Sequence, residues 1–366
     1  MPISDMAGSE LMSDKPNPNM EGPVCPLPLS HSDTIVMGHG SGGRLTQELV
    51  ERVFLPAFSS APQPQNQNDF ASLPGQPRRL SVSIDCHIVA PLFFPGGDIG
   101  RLAVCGTVND IAMSGAQPLY LTAGFILEEG LAVSTLQQIV ESMHQAAEEA
   151  GISIVAGDTK VVEHGKADGV FITTSGVGFI PENLTIGGQY AQPGDVVLVS
   201  GSMGDHGIAV LSARGDLGFS ADVKSDVAPL NHMIQAIIKA APKTHVLRDP
   251  TRGGLATTLN EIALQSQVNI TLDESAIPVH PVVQVASEML GFDPLYIANE
   301  GKVIVIVSPE QADAALDAMR QSAYGEEAVQ IGIVNPAPAG RVLLRTLVGG
   351  TRILDTMAGE MLPRIC

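Results

Sequence analysis

The 366-residue chain contains no tryptophan, and aromatic residues make up only 4% of it. Cations are scarce too: 20 Lys and Arg stand against 39 Asp and Glu, a formal net charge of −19. Binding along a nucleic-acid backbone needs clustered cations, so that balance excludes a nucleic-acid partner. No apolar run is long enough to span a bilayer, which argues against a membrane role. Met1 to Glu10 carries two acids and no Lys or Arg, unlike a secretory signal. The four cysteines, Cys25, Cys86, Cys105 and Cys366, lie far apart and form no Cys-x-x-Cys pair, which removes the usual zinc and redox motifs. A soluble protein of the reducing cytoplasm is the expected class. Within it, Cys25, Cys86 and Cys105 are expected to be inert.

What the chain does contain is 44% hydrophobic residues, enough length for two cores, and 38 glycines for tight turns and close backbone approaches. Residues 1–33 are rich in Pro, Ser, Asn and Met and read as a disordered arm. Residues 59–78 read as a Pro- and Gln-rich loop insertion. Leu80 to Ile84 alternates apolar and polar, a strand pattern. Ser134 is placed to cap a helix with the stripe Leu136, Ile139, Val140, Met143 and Ala147, which Gly151 stops. Strands are expected at Ile152–Ala156, Val170–Val177 and Val196–Ser200, with a domain junction at Gln189–Gly194. Beyond the junction come a helix ending before Pro242, another over Leu255–Leu264, a strand at Lys302–Val307, a helix opened by Ser308-Pro309, and two further strands. The end, Asp355 to Cys366, has no period; fully extended, it would reach roughly 40 Å.

Three constellations have chemical potential. The run Gly38-His39-Gly40-Ser41-Gly42-Gly43 lets backbone N–H groups approach phosphate oxygens, or is simply a flexible turn; it lacks the Gly-Lys-Ser/Thr ending of a P-loop. Asp85, Asp110, Asp158 and Asp249 sit in glycine-rich contexts at strand ends and turns. A nucleotide-bound Mg²⁺ needs a few such carboxylates, although each alone equally suits a cap or turn. Lys160, two residues after Asp158, is a candidate for neutralising a transferring phosphoryl group or a plain surface ion-pair partner. His206 suits an acid–base role or an ordinary hydrogen-bonded one. Glu300, just before an apolar strand, is a candidate base or a solvent-facing turn residue. The third constellation is the terminus, Pro363-Arg364-Ile365-Cys366, where a thiol on a mobile arm can act as a swinging carrier.

Together these segments resemble one family, the HypE hydrogenase maturation proteins, which are carbamoyl dehydratases. The match runs from about Cys25 to Cys366 through Gly40-Ser41-Gly42-Gly43, Pro95-Gly96-Gly97, Gly106 to Asp110, Gly157-Asp158-Thr159-Lys160, Gly204 to Gly207, Asp249 to Gly254, Asn299-Glu300-Gly301 and the terminal Pro-Arg-Ile-Cys. The aspartate and glycine elements are shared with a wider superfamily that includes aminoimidazole ribotide synthetase, selenophosphate synthetase and thiamine monophosphate kinase.

The resemblance implies an α/β (α+β) two-domain aminoimidazole ribotide synthetase-like fold. Residues 34–188 would form an ATP-binding domain whose sheet pairs with a second copy in a homodimer. Residues 189–350 would form a ferredoxin-like α+β domain, and 351–366 a flexible tail. It implies ATP and Mg²⁺ as cofactors, Cys366, Glu300 and Lys160 as catalytic residues, and Asp69, Asp85, Asp110, Asp158 and Asp249 as metal and nucleotide ligands. Gly40, Ser41, Gly42, Gly43, Asn109, Gly157, Thr159, Thr251 and Arg252 would contact the nucleotide. A carbamoyltransferase would load Cys366, ATP would drive dehydration to a thiocyanate, and an iron-carrying maturation complex would take the cyano group. The competing readings are an ATP-dependent synthetase or kinase acting on a free small molecule, and a nucleotide-dependent assembly scaffold. Selenophosphate synthesis is disfavoured because the N-terminal glycine loop lacks Cys and Lys.

Overall fold

The computed structural model describes residues 34–36, 48–57, 79–215, 221–355 and 365. Gly40, Ser41, Gly42, Gly43, Asp69 and Cys366 lie outside the described residues, as do the expected arm 1–33 and the expected loop 59–78.

The first domain contains strands β1 (Arg79–His87), β2 (Phe93–Phe94), β3 (Gly97–Asp98), β4 (Gln117–Glu128), β5 (Ser153–Val162) and β6 (Val170–Ile180). Helices α1 (Ile99–Met113) and α2 (Val133–Ala150) accompany them. Among the described residues, four strands form a sheet in the order β1-β6-β4-β5, antiparallel except for the β4–β5 pair. That parallel pair is joined through α2, as parallel neighbours require a crossover. Helix α1 packs on β1, β4, β6 and α2. Asp98 caps α1 by accepting the N–H groups of Gly100 at 2.7 Å and Arg101 at 3.2 Å. Ile99, Leu102, Val104, Val108 and Ile111 are fully buried, each worth about 1.5–3 kcal/mol of apolar transfer.

The strand alternation of β1 sends Ser83, Asp85 and His87 toward α1 and leaves Leu80, Val82 and Ile84 exposed on the other face. Helix α2 begins two residues earlier than expected: Ala132 is its N-cap with no side-chain bond, so Ser134 lies inside the helix and does not cap it. Gly151 does end it in a left-handed conformation.

The second domain contains β7 (Val196–Val199), α3 (Asp205–Arg214), α4 (Asn231–Ala240), β8 (Thr244–Arg248), α5 (Gly254–Ser266), β9 (Asn269–Asp273), α6 (Pro281–Leu290), β10 (Ile304–Val307), α7 (Ala312–Arg320), β11 (Val329–Asn335), β12 (Arg341–Arg345) and β13 (Thr351–Leu354). Its described strands run in the order β13-β12-β9-β11-β7-β10-β8. The central strands, Val-Val-Leu-Val and Ile-Val-Ile-Val, are buried on both faces and therefore apolar throughout. One face packs on Leu255, Leu259 and Ile262 of α5, the other on Met233, Ile237 and Met319 of α4 and α7. Thr351–Leu354, expected in the tail, instead pair antiparallel with β12, and Leu354 is fully buried. The sheet therefore reaches four residues further than the expected boundary at 350. No helix among the described residues is long and apolar enough to cross a membrane.

Candidate active site

Side chains from both domains meet at the C-terminal end of α1. Asn109, near that end, donates to the carbonyl of Ala228 at 3.0 Å and accepts the N–H of Leu230 at 2.8 Å. It also lies 3.4 Å from the carbonyl of Glu300, so one amide side chain ties the helix to two segments of the second domain. Asn109 was expected at the nucleotide; its observed partners are all protein backbone, and its role here is to join the domains.

Around this joint gather Asp85, Asp110, Asp249 and Glu300. Asp110 is not in a turn, as expected, but in the last turns of α1, where Ser83 donates to it at 2.7 Å. The run Gly106 to Asp110 is helical because Gly106 leaves room for a side chain opposite: a Cβ there would stand 2.9 Å from His87 Nε2. Asp85 does not close β1, which continues to His87. Burial pushes its carboxyl up, but His87 at 3.3 Å, the Cys86 N–H and Arg252 together hold it below the ordinary value. The Arg252 guanidinium, 74% exposed, lies 3.9 Å from Asp85.

The other three carboxyls are raised. Desolvation, then the charge of Asp110, pushes Asp249 up to about 7. Desolvation dominates at Asp110 as well, with Asp85 adding to it. Glu300 is 5% exposed, its Oε1 has no hydrogen-bond partner, and desolvation followed by the charges of Asp226, Asp249, Asp85 and Asp110 holds its pKa well above the usual carboxylate range. These are mutually repelling acids, and an incoming cation would relieve that repulsion. Among the described residues no three His, Cys, Asp or Glu side chains come together closely enough to hold an ion by themselves. The donor set therefore fits Mg²⁺ in the form that nucleotide sites use, with one or two carboxylates and the remaining ligands from phosphate and water.

The glycine motifs of the second domain serve close packing. Gly301 lies against Asp226, whose carbonyl oxygen would stand 1.8 Å from an added Cβ. Gly254, at φ +60°, faces the carbonyls of Leu295 and Ile297, which would stand 2.6 and 2.7 Å from an added Cβ. Asn299 binds the carbonyl of Pro250 and accepts the Gly204 N–H at 2.7 Å, joining three of the sequence motifs. Thr251 belongs to the same loop, its carbonyl accepting the Gly254 N–H.

Asp158, Lys160, Gly157 and Thr159 stand apart from this group. Asp158 does not follow a strand but lies within β5, opposite Gly124 of β4. Strand β5 is the edge opposite β1, roughly 14 Å away at three inter-strand spacings. Asp158 and Lys160 are 78% and 67% exposed and paired at 3.9 Å. Gly157 precedes them and the buried Thr159 lies between them along the same strand. One chain does not bring Lys160 to Glu300, because the sheet separates them by edge and by face.

Sequence reasoning missed His87, Asp226 and Lys302. Asp226 Oδ1 accepts the Glu300 N–H at 3.0 Å, and Lys302 lies 3.7 Å from Asp226 Oδ2. The spacing of two residues between Asp85 and His87 on a strand, and between Glu300 and Lys302, was the available signal. Cys105 is fully buried, and burial pushes its thiol up to about 12; Cys86 is exposed beside Thr173.

The fold and the carboxylate-lined joint define a two-domain α/β enzyme of the aminoimidazole ribotide synthetase class. Residues 67–180 match the family described as AIR synthase related protein, N-terminal domain, and residues 192–345 its C-terminal domain. More narrowly, the chain is 53% identical over 335 residues to the carbamoyl dehydratase HypE of Cupriavidus necator, covering 92% of this chain and 95% of that protein. A solved HypE in complex with ATP matches at 50% identity with a TM-score of 0.87, over 91% of this chain and all of that one. HypE in a HypE–HypF complex matches at 48% identity and a TM-score of 0.74, over 86% of this chain and 100% of that one. The chain belongs to the HypE carbamoyl dehydratase family, and it is an enzyme of that activity.

Proposed function

We propose that this protein uses ATP and Mg²⁺ to dehydrate a carbamoyl group carried on Cys366 to a thiocyanate, supplying cyanide for the iron of NiFe hydrogenase. The observation that carries the reading is the penultimate residue. Ile365 is 4% exposed and packed in the same core cluster as Val227 and Ala298, in the segments that flank Glu300. A chain end held there supports a tail that brings its cargo to Glu300.

The chemistry has two problems, a poor leaving group and two N–H protons. Attack of the thiocarbamate oxygen on the γ-phosphate of ATP converts that oxygen to a phosphate ester and releases ADP. Loss of phosphate with both N–H protons then leaves sulfur bonded to a cyano group. Glu300 is the base: desolvated and flanked by acids, it is a stronger proton acceptor than an exposed carboxylate. Asp85, Asp110 and Asp249 would hold the metal, which neutralises charge on the transferring phosphoryl group. Arg252 and Thr251 would face the nucleotide.

The exposed apolar face of β1 supports a homodimer, and Asp158 and Lys160 lie on that same open face of the sheet. In the dimer Lys160 would serve a site completed by the second subunit. The HypE–HypF complex supports a HypF-type carbamoyl donor as partner, and the cyano group would pass to an iron-carrying maturation complex in the cytoplasm.

The test is mass spectrometry of the C-terminal peptide after incubation with the donor partner and ATP. Cys366 gains a carbamoyl group and then loses one water. Cys366→Ala abolishes product while ATP binding persists; product from that variant overturns the reading.

A further inference from the structure

His206, in the first turn of α3, takes no part in the chemistry above, yet it is fully buried with both ring nitrogens engaged. Its Nε2 lies 2.7 Å from the carbonyl oxygen of Ile365. A carbonyl only accepts, so Nε2 carries the proton. Nδ1 lies 2.8 Å from Ser225 Oγ. That oxygen already accepts the Val227 N–H at 3.1 Å, which leaves its own proton for Nδ1. The ring is thus a neutral imidazole in one fixed tautomer, and burial, which lowers its pKa, keeps it so. Phe94 packs edge-on against it, centroids 5.5 Å apart, completing the seat.

The seat is rigidly joined to Glu300. Ser225 holds the histidine, and its neighbour Asp226 holds the Glu300 N–H at 3.0 Å. Ser225 is itself anchored to the first domain through its N–H to the Pro95 carbonyl at 2.7 Å, an approach open only because Gly96 has no Cβ. The histidine engages the backbone of Ile365 rather than its side chain, and so fixes a register along the tail.

From this we infer that His206 is a positioning residue that sets the reach of the chain end: by fixing the carbonyl of the penultimate residue, it delivers the thiol one residue further on at a set distance from Glu300. The inference deepens the carrier role proposed for Cys366 and rests on it. A slack swinging arm tolerates an added residue anywhere; a registered one does not, because one residue spans about 3.3–3.6 Å.

Two full-length variants separate these cases. One carries a glycine inserted between Ile365 and Cys366, the other a glycine inserted between Glu360 and Met361. The first leaves the seat filled and displaces the thiol; the second leaves the register intact. After loading with the carbamoyl donor, dehydration per carbamoylated Cys366 falls about 100-fold in the first, in line with the sensitivity of reacting groups to displacement of an ångström or more, and stays within about twofold of wild type in the second. Equal rates in the two variants overturn the inference.

A second arm needs no turnover. Alkylation of Cys366 by iodoacetamide, read on the C-terminal peptide without ATP, quickens about tenfold in Ile365→Asp and in Ser225→Ala, the loss of roughly one hydrogen bond's worth of docking. Unchanged alkylation in both variants overturns the seat. If the carrier reading fails, wild-type Cys366 gains no carbamoyl group, and the alkylation arm still decides whether His206 holds the chain end.

Discussion

Asp226 accepts the backbone N–H of Glu300 at 3.0 Å, so one carboxylate holds the other in place while repelling its charge. The hydrogen bond positions Glu300, and burial first, with the repulsion added to it, keeps its pKa high. Removing the charge while keeping an acceptor separates the two effects. Asp226→Asn is expected to move the acid limb of the dehydration pH profile to lower pH, because Glu300 then ionises more easily. Glu300→Gln, which removes the base, is expected to lower turnover about 100-fold or more, with ATP binding retained. Turnover against pH for both variants, with ATP affinity measured alongside, checks this pair. A limb that does not move in Asp226→Asn shows that another group titrates there.

The same acids set how stability depends on pH. Asp110, Asp249 and Glu300 have folded pKa values raised above their unfolded ones, Asp249 to about 7. Between the ordinary carboxylate range and their raised values the folded state binds more protons than the unfolded state. Stability therefore falls as pH rises through that window. Asp85 acts in the opposite sense, since its lowered pKa contributes stability that is lost only as pH falls below the carboxylate range. Nucleotide-free and metal-free protein is expected to melt at a higher temperature at pH 6 than at pH 8. Asp249→Asn flattens that difference. Mg²⁺ with ATP should flatten it too, by supplying the counter-charge. A thermal melt series across pH, with and without Mg²⁺ and ATP, gives the measurement.

The parts of this molecule that were legible in the sequence are those where one residue pattern has one physical meaning. The stripe of α2 and its terminal Gly151, the continuous apolar strand β10 and the alternation of β1 all declare themselves by period. Helix α1 does not. It is buried nearly all round, so its sequence carries no polar face to mark a helical period, and Gly106 in its middle reads as a turn. That misreading placed Asp110 in a loop.

Strand β5 was cut short for a related reason, since Gly157-Asp158 resembles a strand end. The parallel pairing with β4 carries the chain on through Val162. The glycines of the second domain mark tight backbone packing, Gly301 against Asp226 and Gly254 against Leu295. Family resemblance named Asp85, Asp110, Asp249 and Glu300, which the fold brings together at the joint. It could not show that Asp158 and Lys160 lie on another face, because that depends on the register of four strands.

That separation leads to the last prediction. Val82 and Ile84 are 69% and 67% exposed in the middle of β1, beside Leu80. Three neighbouring apolar side chains on an open sheet face are a surface that a second copy would cover. Asp158 and Lys160 lie on the same face at the opposite edge, so a partner covering the apolar stripe would also enclose them. A charge in the centre of that stripe should break the association without touching the acids beneath α1. Val82→Asp is expected to shift the protein from dimer to monomer in sedimentation velocity, while circular dichroism stays that of the wild type. Dehydration activity should fall with it, as it should in Lys160→Ala, which leaves the dimer intact. Mixing Lys160→Ala with Glu300→Gln, both of which keep the β1 face, probes the shared site directly. Each protein keeps one element that the other lacks, and activity recovered in the mixture tracks the fraction of heterodimer. Full activity in a monomeric Val82→Asp would mean that one chain suffices, and that Lys160 is no more than a surface partner of Asp158.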